Sequence, residues 1–239
     1  MNIVIAVISL LGTIAIFYAC KALYQKYSKE WLTPILISPL VIILLLLVTG
    51  TSYESYNAGA DILSNLLGPA TVAFAVPIYK NFDLLKKHAF EIVLSIAIGS
   101  AVAIASSFII ALIVGLNDEL VHSLVPRSVT TPIAMDISNM IGGSPTLTAV
   151  FVMTTGILAS LLAPIVMRIC RFQKPSARGL MLGMGAHGTG TSKAFELGEL
   201  EGTFASLAMI VAALISIVLS ATFFPVLEHF VMNILLPSW

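Results

Sequence analysis

Charge is what this sequence has least of. Only 10% of its 239 residues are Asp, Glu, Lys or Arg, against about 25% in a typical soluble domain. Twelve basic and twelve acidic side chains cancel, so no net field attracts a polyanion and no nucleic-acid partner is expected. Cysteine is scarce too. Cys20 and Cys170 each abut basic residues, which places them at the cytoplasmic ends of helices in a reducing compartment, so neither a disulfide nor a metal pair is expected. No HExxH and no paired-aspartate motif occurs. The string GGSP at 142–145, with His187 elsewhere, is a faint echo of an intramembrane serine protease, but proline follows the serine. No enzyme is expected. The one formal GxGxxG, at 183–188, has no strand before it, so it is no dinucleotide fingerprint and no cofactor follows from it.

Apolar residues fill the space that charge leaves, at 58% of the chain. Charge-free runs cover 1–20, 31–53, 62–79, 92–117, 145–167 and 203–227. Most of them reach the roughly 20 residues needed to cross hydrocarbon. The chain is therefore read as an all-α polytopic membrane protein, a single membrane domain over 1–239. Its first run lacks a basic flank and a small-residue cleavage site, and is expected to stay as a helix.

Ten of the twelve basic residues fall in three short connections: Lys21, Lys26 and Lys29; Lys80, Lys86 and Lys87; Arg168, Arg171, Lys174 and Arg178. By the positive-inside rule these face the cytoplasm. Acidic residues occupy the intervening connections, among them Glu54, Asp61, Asp118, Glu119, Glu196, Glu199 and Glu201. The expected topology has an outer N-terminus, about seven crossings and a cytoplasmic C-terminus. In it 178–197 crosses outward, 203–233 crosses inward, and 127–143 is a re-entrant or half-crossing element. The alternative is an eighth full crossing, which would put the last basic connection outside.

Two apolar runs are interrupted by helix-breaking residues. They read LGPATVAFAVP at 67–77 and GMGAHGTGT at 183–191. A shift of 119 residues carries His187 onto Gly68, and 203–233 onto 84–114. This suggests an inverted-topology repeat, about 1–117 and about 118–239, with a broken helix in each half. Irregular backbone survives in a bilayer only where protein buries it or a watery cavity receives it. The candidate binding residues follow: Gly68, Pro69 and Thr71 at the first break, and His187, Gly188, Thr189, Gly190 and Thr191 at the second. His187 either orients a carboxylate or carries a coupling proton, or it simply satisfies unwound carbonyls. A third group lies in 126–150. There Ser128 is expected to cap a short helix whose positive end faces an anion, beside Arg127, Thr130 and Thr131. Asp136 either faces a cavity or lies solvated at the surface. Lys193 either snorkels with a local pair to Glu196 or reaches substrate. Small residues recur every fourth position at Ser95, Gly99, Ala103 and Ser107, and at Ala208, Ala212, Ser216 and Ser220, as helix-packing seams.

The strings LGPATVAFAVPIYKN (67–81), PRSVTTPIAMDISNMIGGSPTLTAVFVMTTGI (126–157) and ARGLMLGMGAHGTGTSKAFELGELEG (177–202) resemble the LrgB/CidB family of bacterial membrane proteins. The C-terminal half of the plastid glycolate/glycerate translocator is similar to the same family. The resemblance implies an antiholin-like link to murein hydrolase control and autolysis. It also implies transport of small monocarboxylates such as pyruvate or glycolate, and a small LrgA/CidA-type membrane partner. It further implies a fold like cation/proton antiporters and bile-acid transporters, placed in the bacterial inner membrane. A coupling ion, H+ or Na+, and a homodimer are compatible with it. Members commonly show SHGIGTARA where this chain has AHGTGTSKA, so Thr189 replaces an apolar residue and Lys193 an arginine.

Overall fold

The computed structural model describes residues 3–27, 29, 32–66, 69, 72–73 and 75–232. The described residues are helical with no strand, and they divide into two compact units, 1–75 and 76–239. The helices are α1 (Ile3–Tyr27), α2 (Pro34–Thr49), α3 (Tyr53–Asn65), α4 (Ala75–Lys80), α5 (Phe82–Lys87), α6 (Ala89–Ile113), α7 (Asp118–Leu124), α8 (Thr131–Ile141), α9 (Pro145–Ile169), α10 (Pro175–Leu197) and α11 (Glu199–Phe230). Four of them, α1, α6, α9 and α11, are long and apolar enough to cross a membrane. Their outer faces stay apolar although exposed, as at Leu11, Phe90 and Ile113. Water would penalise that surface and lipid does not.

The first unit packs α1 against α2 and α3. Gly59 lets α3 lie directly on the Ala6 backbone, and the Thr13 and Tyr56 hydroxyls meet at 3.0 Å. Ser52 caps α3 by accepting from the Ser55 amide. Of the first break, Gly68 and Thr71 lie outside the described residues, and Pro69 is exposed.

In the second unit α6 and α11 run side by side in the same direction. Leu85, Ile92 and Ile96 pack with Phe204, Ala208 and Ala212, and further on Ile104, Phe108 and Leu112 pack with Phe224 and Val231. Residue numbers climb together along both helices. The Phe108 and Phe224 rings meet edge to face, 5.3 Å between centroids. The inverted pairing expected from the 119-residue shift requires opposite directions for 84–114 and 203–233, so these two helices are not its related pair.

The segment 178–197, expected to cross, instead turns back. Gly179 lies against the Glu201 carbonyl and Gly183 against that of Ala205, so the first leg of α10 climbs parallel to α11. At His187 the backbone takes φ 40° and ψ −126°, and the helix breaks there. The second leg then descends. Gly190 sits on the Leu182 carbonyl, and the Phe195 ring covers Gly202. Both ends of α10 come together, with Arg178 Nη1 3.8 Å from Glu201 Oε1. A straight helix between those positions would hold them roughly 30 Å apart. The acidic cluster at 196–201 misled the expected topology because only Lys and Arg strongly bias orientation, while Asp and Glu contribute little. Since α11 starts beside Arg178 and runs with α6, it leaves at the end opposite Lys86 and Lys87. The basis for a cytoplasmic C-terminus is thereby lost.

Candidate functional site

A second segment of this unit also returns to its starting place, as expected for 127–143. Asn117 caps α7 by accepting from the Leu120 amide at 3.0 Å. The chain then turns through Val125–Thr130 and comes back as α8. Gly142 ends α8 at φ 90°, a conformation glycine adopts without a Cβ penalty. Gly143 presses against the Ser123 amide, where a side chain has no room. The Ser144 amide donates to Ser123 Oγ at 2.8 Å. Thr148 Oγ1 lies 2.7 Å from Ser138 Oγ and 3.0 Å from the carbonyls of Ser123 and Ser144. This buried hydroxyl knot clamps the segment's two ends together. With eleven residues, α8 is about 16 Å long, half the hydrocarbon thickness.

The two inturned segments enter from opposite ends of the unit, and their tips meet around Val152 of α9. On one side Val129 and Ala134 pack with Val152 and Ala213. On the other, His187 Nε2 donates to the Val152 carbonyl at 3.2 Å. His187 is buried, and Thr191, fully buried, donates to the His187 carbonyl at 2.9 Å and lies 3.8 Å from Met209 Sδ. Gly156 leaves just enough space for this tip. A methyl there would stand 2.9 Å from Thr189 Oγ1 and 3.0 Å from the imidazole. Gly185 and Gly188, by contrast, face open space.

Each tip is a helix start. The second leg of α10 begins at Gly188, Thr189 and Gly190, and α8 begins at Thr131, with Pro132 in its first turn. The first amides of a helix have no partner within it and carry its partial positive charge. The tip of 125–131 differs from expectation in one detail. Thr130, not Ser128, holds the capping position, and its side chain makes no cap bond. Ser128 lines a cavity instead, with Ser100, Ala103 and Ile104 of α6, Met184 of α10, and Ala212, Ser216 and Ser220 of α11. Arg127, next to it, donates from Nε to Ser107 Oγ at 3.0 Å. Asp136 is exposed on α8, and among the described residues it has no charged partner within 4.0 Å. Lys193 pairs with Glu196 at 3.2 Å, the local ion pair of the plainer alternative.

The fold thus gathers Arg127, Ser128, Thr130, Thr131 and 187–191 into one unit. Val152 and Gly156 have no signal of their own in the sequence. Ser107, Ser216 and Ser220 stood out there only as positions in packing seams, because a serine stripe looks the same whether it faces a helix or a cavity.

The LrgB-like family model matches residues 13–226. The chain is 48% identical over 213 residues to the uncharacterised protein YwbG of Bacillus subtilis strain 168, covering 89% of this chain and 95% of that one. It is 35% identical over 214 residues to the holin-like protein CidB of Staphylococcus aureus strain Mu50, covering 90% and 93%. YxaC of Bacillus subtilis strain 168, also uncharacterised, is 36% identical over 88% of this chain and 92% of its own length. No solved structure matches.

Proposed function

The chain belongs to the LrgB-like family, and on that premise we propose that it is a secondary transporter of small monocarboxylates, of the pyruvate and glycolate kind. It acts in the bacterial inner membrane beside a small LrgA/CidA-type partner, and through that partnership bears on autolysis. One observation carries this above all: two inturned segments from opposite ends bring their helix starts to one level, around Val152. Converging helix starts favour an anion, and inturned half-helices at a shared site suit alternating access. Small side chains around the tips suit a small solute. Flux couples to H+ or Na+.

Purified protein in liposomes should accumulate radiolabelled glycolate or pyruvate when an H+ or Na+ gradient is imposed. His187→Ala and Thr191→Ala should depress that uptake without lowering the amount inserted. Uptake no faster than in empty liposomes, across a panel of monocarboxylates and with folded protein, removes the proposal. The name holin-like, carried by the CidB relatives, favours a second reading. In it the chain is an antiholin-like regulator of murein hydrolase activity without transport of its own. The liposome assay separates the two, since a regulator without transport of its own leaves uptake at the level of empty liposomes and a carrier raises it.

A further inference from the structure

The cavity between α6, α11 and the turn at 125–130 contains an anomaly. Ser220 is 1% exposed, lines the cavity, and its hydroxyl has no hydrogen-bond partner among the described residues. A buried polar group without a partner is costly. Of the three such hydroxyls among the described residues, Ser38, Ser160 and Ser220, Ser220 alone lines this cavity, where a bound group can reach it. Ser100, Ser128 and Ser216 add further hydroxyls to the same wall, and no carboxylate lines it. The charge beside it is positive. Arg127 stands between two lining residues, Pro126 and Ser128, and is anchored through Nε to Ser107, one turn beyond Ala103 and Ile104 on the lining face of α6. Among the described residues no Asp or Glu lies within 4.0 Å of Arg127, and Nε makes the one hydrogen bond its guanidinium has. Its two terminal amino groups retain donors in the planar fork that suits a carboxylate.

We propose that this cavity is the carboxylate subsite, with Arg127 as the charged clamp and Ser220 as the hydroxyl donor opposite it. The proposal rests on the transport reading and places the anion's anchor on α6, α11 and the 125–130 turn rather than on His187. As it stands the cavity has room for about one water molecule. Met184, whose thioether also lies against Gly99, is the flexible side chain whose rotation enlarges it. Ser107 is then a positioning residue. It accepts from Arg127 while its own proton goes to the Ala103 carbonyl at 2.7 Å, which fixes the side of the hydroxyl that faces the guanidinium.

The test is equilibrium binding of sodium glycolate to the purified full chain in detergent, read by calorimetry, with elution profile and melting temperature as folding controls. Arg127→Gln should weaken binding more than about tenfold, Arg127→Lys less, and Ser220→Ala about fivefold, as losses of a charge-assisted and a neutral hydrogen bond respectively. Ser160→Ala should leave binding unchanged, since that partnerless buried hydroxyl lies outside the cavity. Wild-type affinity in folded Arg127→Gln and Ser220→Ala overturns the subsite and leaves transport standing. Absence of binding by the wild-type protein to any monocarboxylate overturns both.

Discussion

At the residue scale, glycine and histidine do different work at the α10 break. Gly190 is needed because the returning leg lies on the Leu182 carbonyl, so an added methyl must push backbone against backbone. Gly190→Ala should cost about 1–3 kcal/mol, the range for overpacking, and lower the melting temperature in detergent. Gly188→Ala, with open space beside it, should melt close to wild type. A reversed order of the two would mean that the legs do not touch. His187 holds a positive φ that a non-glycine residue adopts only under constraint, and its ring bond to Val152 supplies part of that constraint. Sequence composition marked 183–191 as a break. It could not say that one residue turns the chain, since four glycines within eight positions offered several equal hinges.

At the scale of elements, the returning course of α10 makes a topological prediction. In a chain with Cys20 and Cys170 replaced by serine, single cysteines at Lys174 and Glu199 should react with an impermeant thiol reagent from the same side of the membrane. A cysteine at His229 should react from the other. Labelling of 174 and 199 from opposite sides would restore a crossing and undo the paired tips. The hydroxyl knot of Ser123, Ser138 and Thr148, with the backbone of Ser144, closes the other inturned segment. Thr148→Val keeps the shape, removes the hydroxyl and leaves its partners buried, so it should destabilise by about 1–3 kcal/mol in thermal unfolding. Here the sequence was more legible. An added full crossing over 127–143 would put the basic connection of Arg168, Arg171, Lys174 and Arg178 outside, which favoured a returning element over the open alternative of an eighth crossing.

At the scale of the whole molecule, the second unit is held by the parallel seam of α6 on α11, where Ile92 and Ile96 pack on Ala208 and Ala212 and aromatic rings seal the far end. Phe224→Ala empties the contact with Phe108 and should cost about 3–5 kcal/mol, read as a lower melting temperature with unchanged helix content by circular dichroism. The inverted repeat was inferred from a 119-residue shift that aligned helix lengths and spacings. Matching breaks and the directions assigned from charge supported it as well. The parallel packing of α6 and α11 removes the pairing of 84–114 with 203–233, whose opposite directions rested on a crossing at 178–197.

Hydropathy and punctuation by themselves determined that this is a helical membrane protein, and the motif strings that it is of the LrgB-like family. Those properties depend on local chemistry: hydrocarbon demands about 20 apolar residues per crossing, and glycine and proline interrupt helices wherever they stand. Which way each segment runs after a break was decided by tertiary structure alone. A chain leaving His187 forward or backward has the same residues, and only the fit of Gly190 on Leu182, Phe195 on Gly202 and Arg178 beside Glu201 selects the return.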